Sequence, residues 1–210
     1  MRLYLSSFRI GGCPDRLVAL AGGGRRAAVV ANAMDPAPAD VRHSAVELEV
    51  GALSALGFVV DEVDLRDAGA ADGLAGYDVV WVRGGNTFAL RAALARSGAD
   101  EVVRRLLAED RLVYAGYSAG ACVLAPSLRG LEVVDPPEAV AETYGEEVAV
   151  VWEGLGVLDR AVVPHVDSPG HPESEACTAV AERHRAQGVP HVALRDGQVL
   201  VVDGSTSNVC

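Results

Sequence analysis

A serine flanked by glycines follows an apolar run in the middle of the chain. The segment reads Leu112-Val-Tyr-Ala-Gly-Tyr-Ser-Ala-Gly-Ala121, which places Ser118 in a Gly-x-Ser-x-Gly pattern. The glycines permit the tight strand-to-helix turn called a nucleophile elbow, from which a serine hydroxyl projects at the end of a sheet. The N–H of Ala119 and the N-terminus of the following helix would favour developing negative charge there. We predict that Ser118 is a nucleophile; the alternative is a strand–helix turn with a serine N-cap.

A second glycine-rich turn precedes this one, in the segment Arg83-Gly-Gly-Asn-Thr-Phe88. Adjacent glycines allow backbone N–H groups to approach a ligand closely, and Asn86 or Thr87 can cap the next helix. The N–H of Gly85 is therefore a candidate for a second oxyanion donor, although the same residues also suit an ordinary strand–helix turn. Successive parallel strands place such turns at the carboxyl edge of the sheet, where open α/β sheets hold their sites.

A serine nucleophile needs a base, and His165 is the best placed histidine. It follows the apolar run Val162-Val-Pro164 and so falls at a sheet edge, where an imidazole could take the serine proton. The other four histidines are less well placed. His43 lies in a predicted helix and His171 in a loop rich in proline and glycine. His184 lies between two arginines, and His191 lies at the start of a predicted strand.

The base in turn needs a carboxylate that accepts from its second ring nitrogen. Asp196, in the turn Arg195-Asp-Gly197, is the first choice, although Asp-Gly is also common in hairpin turns. Asp135 and Asp167 are the alternatives. Ordinary α/β-hydrolases run nucleophile, acid, histidine along the chain. Asp135 would give that order and Asp196 would not, so order alone leaves both open.

Short apolar runs alternate with helical patterns over most of the chain, which predicts a mostly parallel, doubly wound α/β sheet. We expect one domain over residues 1–210, a terminal β-hairpin around Asp196–Gly197, and a loop at Asp135–Ala141 that could act as a lid. The predicted strands are Arg2–Ser6, Ala27–Ala31, Phe58–Asp64, Val79–Val82, Leu112–Ala115, Val148–Val151, Ala161–Val163, Val192–Leu194 and Gln198–Val202. The predicted helices are Pro38–Leu56, Thr87–Ala95, Glu101–Leu107 and Glu173–Gln187.

Composition excludes several classes of protein. The 210 residues carry a formal charge of −11, which disfavours nucleic acid and anionic membranes as partners. All 18 basic residues are arginine, so a Schiff-base lysine, a P-loop lysine and a biotin-carrying lysine are excluded. No apolar stretch is long enough to span a membrane, and the N-terminus does not resemble a signal peptide.

The four cysteines are far apart in the sequence and form no Cys-x-x-Cys pair: Cys13, Cys122, Cys177 and Cys210. Neither a zinc site nor a dense disulfide framework has such spacing. We therefore expect four reduced thiols in a cytoplasmic protein, and we expect neither a metal nor a cofactor.

These residues together resemble the dipeptidase E (aspartyl dipeptidase) family of serine peptidases. The matching pieces are Gly84-Gly-Asn-Thr-Phe88, Tyr114-Ala-Gly-Tyr-Ser-Ala-Gly-Ala121, Val134-Asp-Pro136 and Pro164-His165, which occur in the family's order. The resemblance implies a flavodoxin-like fold shared with class I glutamine amidotransferases. It makes Ser118 the nucleophile, His165 the base, and Gly85 and Ala119 the oxyanion donors. The family's usual carboxylate position, in a late turn, falls on Asp196, while other descriptions of the family point to the segment that contains Asp135.

The resemblance also implies a small peptide substrate, with cleavage after an N-terminal aspartate as the family's default. The chain keeps the family's Gly170-His171, but acidic residues follow where the family has a basic one, which predicts a different N-terminal preference. Glu173 or Glu175 could instead hold a free amino terminus, and His171 and Asn86 are further candidates for substrate binding. Whether the chain forms a homodimer stays open.

Four other functions compete with a dipeptidase. A glutaminase-like amidotransferase would need cysteine at the elbow, and Cys122 lies one helical turn further on. The other three are a relative that cleaves cyanophycin, an α/β-hydrolase esterase, and a non-catalytic protein that keeps the pocket for binding.

Overall fold

A computed structural model describes all 210 residues, in which nine strands alternate with eight helices and three short 3-10 turns. The strands are β1 Arg2–Ser6, β2 Arg26–Val30, β3 Val59–Glu62, β4 Val79–Val82, β5 Val113–Tyr117, β6 Ala161–Val163, β7 His191–Ala193, β8 Val199–Asp203 and β9 Thr206–Val209. The helices are α1 Pro14–Leu20, α2 Ala39–Ala55, α3 Ala70–Gly73, α4 Thr87–Ser97, α5 Ala99–Ala108, α6 Ala119–Cys122, α7 Ala139–Tyr144 and α8 Ser174–Gln187. The 3-10 turns are Asn32–Met34, Leu74–Gly76 and Leu131–Val133.

Seven strands form the central sheet in the order β3-β2-β4-β5-β1-β8-β9. The first five strands of the chain run parallel, while β8 is antiparallel to β1 and pairs with β9. Strands β6 and β7 form a separate parallel pair. The prediction of a mostly parallel α/β fold with a terminal hairpin is confirmed. Because the parallel strands share one carboxyl edge, the turns after β2, β4 and β5 meet there.

The central strands are covered on both faces, as their uninterrupted apolar runs indicate. All residues of β4 and β5 are buried. Tyr114 packs into the core on one face of the sheet, and Tyr4 and Trp81 pack into the core on the other. No helix has the combination of length and apolar character that a bilayer crossing requires.

Three local predictions are wrong. Val148–Val151 is not a strand; Val148 and Val150 pack against a small apolar cluster around Phe88 without strand partners. The segment predicted as a loop at Asp135–Ala141 enters helix α7 at Ala139. The terminal hairpin joins β8 to β9 through Gly204, whereas the turn at Asp196–Gly197 connects β7 to β8, which lie in different sheets.

The prediction of four reduced thiols is also wrong for two of the cysteines. Cys13 and Cys210 form a disulfide between the segment that precedes α1 and the last residue of the chain, with their Cα atoms 6.5 Å apart. The spacing of the cysteines in the sequence does not predict this disulfide, because 197 residues separate its two members. Only the terminal hairpin brings them together. Cys122 and Cys177 are free and buried. Cytoplasmic localisation stays a prediction.

Candidate active site

Ser118 occupies a strained turn between β5 and α6. Its backbone angles are φ +50° and ψ −120°, a conformation that non-glycine residues rarely adopt and that is often found at functional sites. A Cβ at Gly116 would lie 2.5 Å from Val82 O, and one at Gly120 would collide with the same oxygen. The two glycines of the motif therefore let the elbow approach β4 closely. The nucleophile elbow predicted from the sequence has the geometry that its motif requires.

The turn after β4 lies against this elbow. A Cβ at Gly84 would come within 2.8 Å of Ser118 Cβ, while Gly85 has φ +147° and a Cβ there would collide with Ala33 O. No hydrogen bond within the protein engages the N–H of Gly85 or that of Ala119. Both N–H groups thus have no acceptor within the protein, as oxyanion donors must, and their oxyanion role stays a prediction.

His165 and Asp196 form a hydrogen-bonded pair. His165 Nδ1 lies 2.7 Å from Asp196 Oδ1, and the His165 side chain is only 1% exposed. The imidazole follows β6, as predicted, and has φ +58°, a second strained position in this region. A carboxylate on Nδ1 leaves Nε2 as the nitrogen that can exchange a proton with a substrate or nucleophile.

Ser7 holds this pair together and was not predicted from the sequence. Its fully buried Oγ donates to Asp196 Oδ1 over 2.8 Å and accepts from the backbone N–H of His165 over 2.8 Å. Ser168 Oγ accepts from the Asp196 backbone N–H over 2.8 Å. A signal for Ser7 existed, because the polar pair Ser6-Ser7 ends an apolar strand at the sheet edge where the other candidates lie.

Burial lowers the pKa of His165 below its ordinary value, and this effect outweighs that of the hydrogen bond to Asp196, which raises the pKa. Nearby His171 lowers the pKa of His165 further. The imidazole is therefore neutral near pH 7, which is the form that a general base needs. Glu173 Oε2 lies 4.0 Å from His165 Nε2, and its side chain is 42% exposed.

Aromatic contacts connect the elbow to the histidines. The Phe8 ring lies edge-on to Tyr117, the residue before the nucleophile, with ring centroids 6.1 Å apart, and edge-on to His165 at 5.9 Å. His171 stacks on His165 with the rings parallel and their centroids 3.6 Å apart. Phe8 also contacts His171 at 5.3 Å. The structure thus stacks the two histidines on each other, and Phe8 links them to the residue before Ser118.

The alternative acids have other partners. Asp135 Oδ2 accepts from the backbone N–H of Thr87 over 2.9 Å and so caps helix α4. Burial raises the pKa of Asp135 to about 6, against the lowering effect of its hydrogen bonds with Thr87. Asp167 pairs with Arg195 at the surface. Asp196 and Glu173 are the carboxylates within 4.0 Å of a His165 ring nitrogen.

Two predicted substrate-binding residues have other partners or another position. Asn86 caps α4 by accepting from the Ala89 N–H over 2.8 Å, and its amide nitrogen donates to Pro136 O over 2.9 Å. Both ends of this side chain are therefore engaged by the backbone. Glu175 is exposed and lines a shallow groove that includes neither Ser118 nor His165.

Three of these side chains are of metal-binding type. The ligand atoms of His165, His171 and Glu173 lie within 4.8 Å of one another. The two imidazole rings are parallel and stacked, however, so the lone pairs in their planes do not converge on one ion as tetrahedral zinc requires. The residues do not fit a metal in this arrangement, and a metal-free site stays a prediction.

The fold and the elbow define an α/β protein with a strained serine at the carboxyl edge of a parallel sheet. The model of Peptidase family S51 matches residues 31–210, and the chain therefore belongs to that family. The resemblance to dipeptidase E is thereby confirmed.

Relatives with curated names agree with this assignment. A Streptomyces coelicolor protein named Peptidase E is 33% identical over 134 residues, which cover 60% of this chain and 49% of that protein. An uncharacterized peptidase of Listeria monocytogenes is 28% identical over 138 residues, covering 63% of this chain and 64% of that protein. The match thus spans less than two thirds of the length of either relative.

Solved structures share the fold along the whole chain. A Listeria monocytogenes protein provisionally named Peptidase E superposes with a TM-score of 0.81 at 21% identity, covering 100% of this chain and 97% of that one. A peptidase from an acI-B1 Actinobacterium superposes with a TM-score of 0.71 at 14% identity, covering 100% of this chain and 86% of that one. At these identities the likeness shows the fold alone.

Proposed function

We propose that this protein is a serine peptidase that hydrolyses dipeptides and other short peptides with a free amino terminus. The observation that carries the proposal is that Phe8 links the strained Ser118 elbow to the buried His165, which pairs with Asp196, while the N–H groups of Gly85 and Ala119 have no partner within the protein. Membership of Peptidase family S51 supports the same class of reaction.

The reaction follows from the roles of these groups. Ser118 Oγ attacks the peptide carbonyl carbon while His165 Nε2 takes the hydroxyl proton, and Asp196 fixes the imidazole tautomer. The N–H groups of Gly85 and Ala119 stabilise the oxyanion of the tetrahedral intermediate. His165 then gives the proton to the leaving amine as the C–N bond breaks, which leaves an acyl-enzyme. Water, activated by the same imidazole, hydrolyses the ester and restores the serine.

Glu173 is proposed to select substrates with a free amino terminus. Its carboxylate is accessible and lies 4.0 Å from the nitrogen that transfers the proton, so an ammonium held there would lie close to the scissile bond. A free amino terminus within this reach favours removal of one or very few residues. The same negative charge disfavours an N-terminal aspartate, and we propose a neutral or broad preference at that residue.

A glutaminase role is less well supported. The elbow carries a serine, and Cys122 is buried with its Sγ 3.3 Å from Val162 O. Burial raises the pKa of the Cys122 thiol well above its ordinary value. Such a thiol does not supply the thiolate that this chemistry needs.

The experiment is hydrolysis of unblocked X-Leu dipeptides, including Asp-Leu and Met-Leu, beside an N-blocked dipeptide, a simple ester and glutamine. Wild type is compared with Ser118→Ala and Glu173→Gln, and Glu175→Gln is the control with the same charge change at an exposed site. We expect cleavage of free-amino dipeptides that disappears in Ser118→Ala. Glu173→Gln should raise KM and Glu175→Gln should not.

Each other outcome has a distinct meaning. Cleavage of esters alone would favour an esterase, and cleavage of the blocked peptide at the same rate would refute the role of Glu173. A folded wild type that cleaves nothing and does not react with a fluorophosphonate probe would refute the proposed peptidase and favour a binding protein.

A further inference from the structure

A cavity of about 460 Å³ lies at the other end of the elements that support His165. It opens between the start of β6 and the last turn of α8, whereas His165 follows the end of β6 and Glu173 precedes α8. Neither Ser118 nor His165 lines it. Its charged and titratable lining residues are Arg129, Arg160, Arg183, His184, Glu132 and Asp159.

The acidic residues of this cavity are already engaged. Glu132 Oε2 accepts from the Gly130 N–H over 2.5 Å, and Asp159 pairs with Arg160 at 2.7 Å. Arg129 and Arg183 have no carboxylate within 4.0 Å. The cavity lining therefore carries three arginines against two carboxylates, and Arg129 and Arg183 have no ion-pair partner, in a chain whose net charge is −11.

Trp152 holds one of these arginines in place. The Arg129 guanidinium lies over the Trp152 ring, 4.8 Å from its centroid. A cation on an aromatic face keeps its N–H groups free at the edge of the guanidinium plane, and fixing the side chain beforehand reduces the entropy lost on binding an anion.

His184 adds a further donor to the wall of the cavity. The residue is 6% exposed, and its Nδ1 is enclosed without any hydrogen-bond partner. Burial lowers the pKa of His184, with nearby His191 and Arg183 acting in the same direction, so the ring is neutral near pH 7. A hydrogen on Nδ1 would be a buried donor with no acceptor, which native structures avoid, and the hydrogen therefore resides on Nε2.

The glycine at position 130 gives this donor access to the cavity. Gly130 lines the cavity, and a Cβ placed there would lie 3.8 Å from His184 Nε2 and 3.3 Å from its Cε1. Because glycine has no Cβ, no side chain at position 130 covers this edge of the ring, and both residues line the cavity. Nε2 makes no hydrogen bond within the protein.

We propose that this cavity binds a small organic anion with two or more carboxylate or phosphate groups, held by Arg129, Arg183 and the Nε2–H of His184. Guanidinium groups match the paired oxygens of both kinds of anion. The volume is in the range of small-molecule sites and exceeds what a single inorganic ion fills. This site is separate from the proposed peptidase reaction, because neither Ser118 nor His165 lines the cavity.

The test is calorimetric titration of the whole protein with citrate and with pyrophosphate at constant ionic strength, beside sodium chloride as a control. The variants are Arg129→Ala and Arg183→Ala, with Arg185→Ala as a matched control. Arg185 lies two residues further along α8, does not line the cavity and changes the net charge equally. Dipeptide hydrolysis is measured in parallel.

We expect one of the two anions to bind the wild type, and the one that binds identifies carboxylate or phosphate as the ligand chemistry. Each cavity variant should raise the dissociation constant by about tenfold or more, since a charged hydrogen-bond pair is lost. Arg185→Ala should leave it nearly unchanged, and hydrolysis should be unaffected in all three variants. Absence of binding at concentrations of about 10 mM, or equal weakening by Arg185→Ala, would overturn the proposal.

Discussion

Replacing Ser7 by alanine tests how the proposed catalytic pair is held in position. The Ser7 hydroxyl makes two 2.8 Å hydrogen bonds, one to the carboxylate of Asp196 and one from the backbone N–H of His165. Alanine removes both without adding volume. His165 has a left-handed backbone at φ +58°, so its N–H loses the contact that holds this strained conformation.

The size of the effect follows from these two bonds. A hydrogen bond to a charged group contributes about 1.5–3 kcal/mol, and a buried N–H left unpaired costs about 1–3 kcal/mol. We therefore expect Ser7→Ala to lower the free energy of unfolding by about 3–5 kcal/mol and the melting temperature by roughly 10 °C. If the misplaced imidazole also raises the activation barrier by about 1.4–2.8 kcal/mol, kcat falls by about 10- to 100-fold with KM little changed.

The assay is steady-state dipeptide hydrolysis well below the melting temperature, together with calorimetric unfolding. Ser6→Ala is the matched control, because Ser6 is equally buried and its Oγ bonds only to Phe8 O, over 3.2 Å. A Ser7→Ala protein that is destabilised but retains the wild-type kcat would refute a positioning role. An equal loss of kcat in Ser6→Ala would also refute it.

Four further predictions concern the oxyanion turn, the pH dependence of activity and stability, and the disulfide. Gly85→Ala should reduce kcat by about 100-fold or more, since φ +147° and the collision of its Cβ displace the proposed donor. The acid limb of kcat/KM should lie below pH 6.5, since burial lowers the pKa of His165 from that value. Asp135 has a pKa of about 6 in the folded protein and 3.8 as its ordinary value, so its contribution to stability is present below pH 4 and is lost as the pH rises through 6. Between pH 4 and pH 6 and above, the free energy of unfolding of Asp135→Asn should therefore rise by up to about 3 kcal/mol relative to that of wild type. Denaturant unfolding at each pH measures this difference. Reduction of the Cys13–Cys210 bond should lower the free energy of unfolding by about 3–5 kcal/mol, measured as the melting temperature with and without reductant.

Each of these predictions has its own control. Gly69→Ala introduces a side chain at φ +77° into open space, so an equal loss of kcat there would show that Gly85 has no special role. An acid limb at or above pH 6.5 would contradict the effect of burial on His165. If the difference in free energy of unfolding between wild type and Asp135→Asn does not vary with pH, the raised pKa of Asp135 is contradicted. Reductant should not affect the stability of a Cys13→Ser, Cys210→Ser double variant.

Local signals were strong enough to predict the frame of the site. The elbow and the turn at Gly84–Gly85 depend on residues adjacent in the sequence, because glycine is needed where backbone passes close to backbone. Strands β1, β4 and β6 have the predicted bounds, and β2, β3, β5, β7 and β8 differ by one or a few residues, because buried parallel strands require continuous apolar runs. Strand β9 was not predicted. The strand predicted at Val148–Val151 failed because its valines pack as isolated side chains in a loop.

The contacts around His165 could not be predicted in this way. Ser7 is 158 residues and Asp196 is 31 residues from His165 in sequence, and both contacts depend on how the small β6–β7 sheet lies against the end of β1. Asp196 was the first choice from the sequence, but chain order left Asp135 open as well. Only the folded chain places Asp196 on His165 Nδ1 and Asp135 on the N-terminus of α4.

The α/β class, the elbow, the glycine turn and the family resemblance could all be predicted from the sequence, because each depends on a few neighbouring residues. The tertiary structure alone decided which carboxylate meets His165, that Ser7 and Phe8 support it, and that Cys13 reaches Cys210. The physical reason is that hydrogen bonds, ring stacking and disulfides act over a few ångströms. Sequence distance does not reveal such proximity until strand pairing has set the positions of the chain ends and turns.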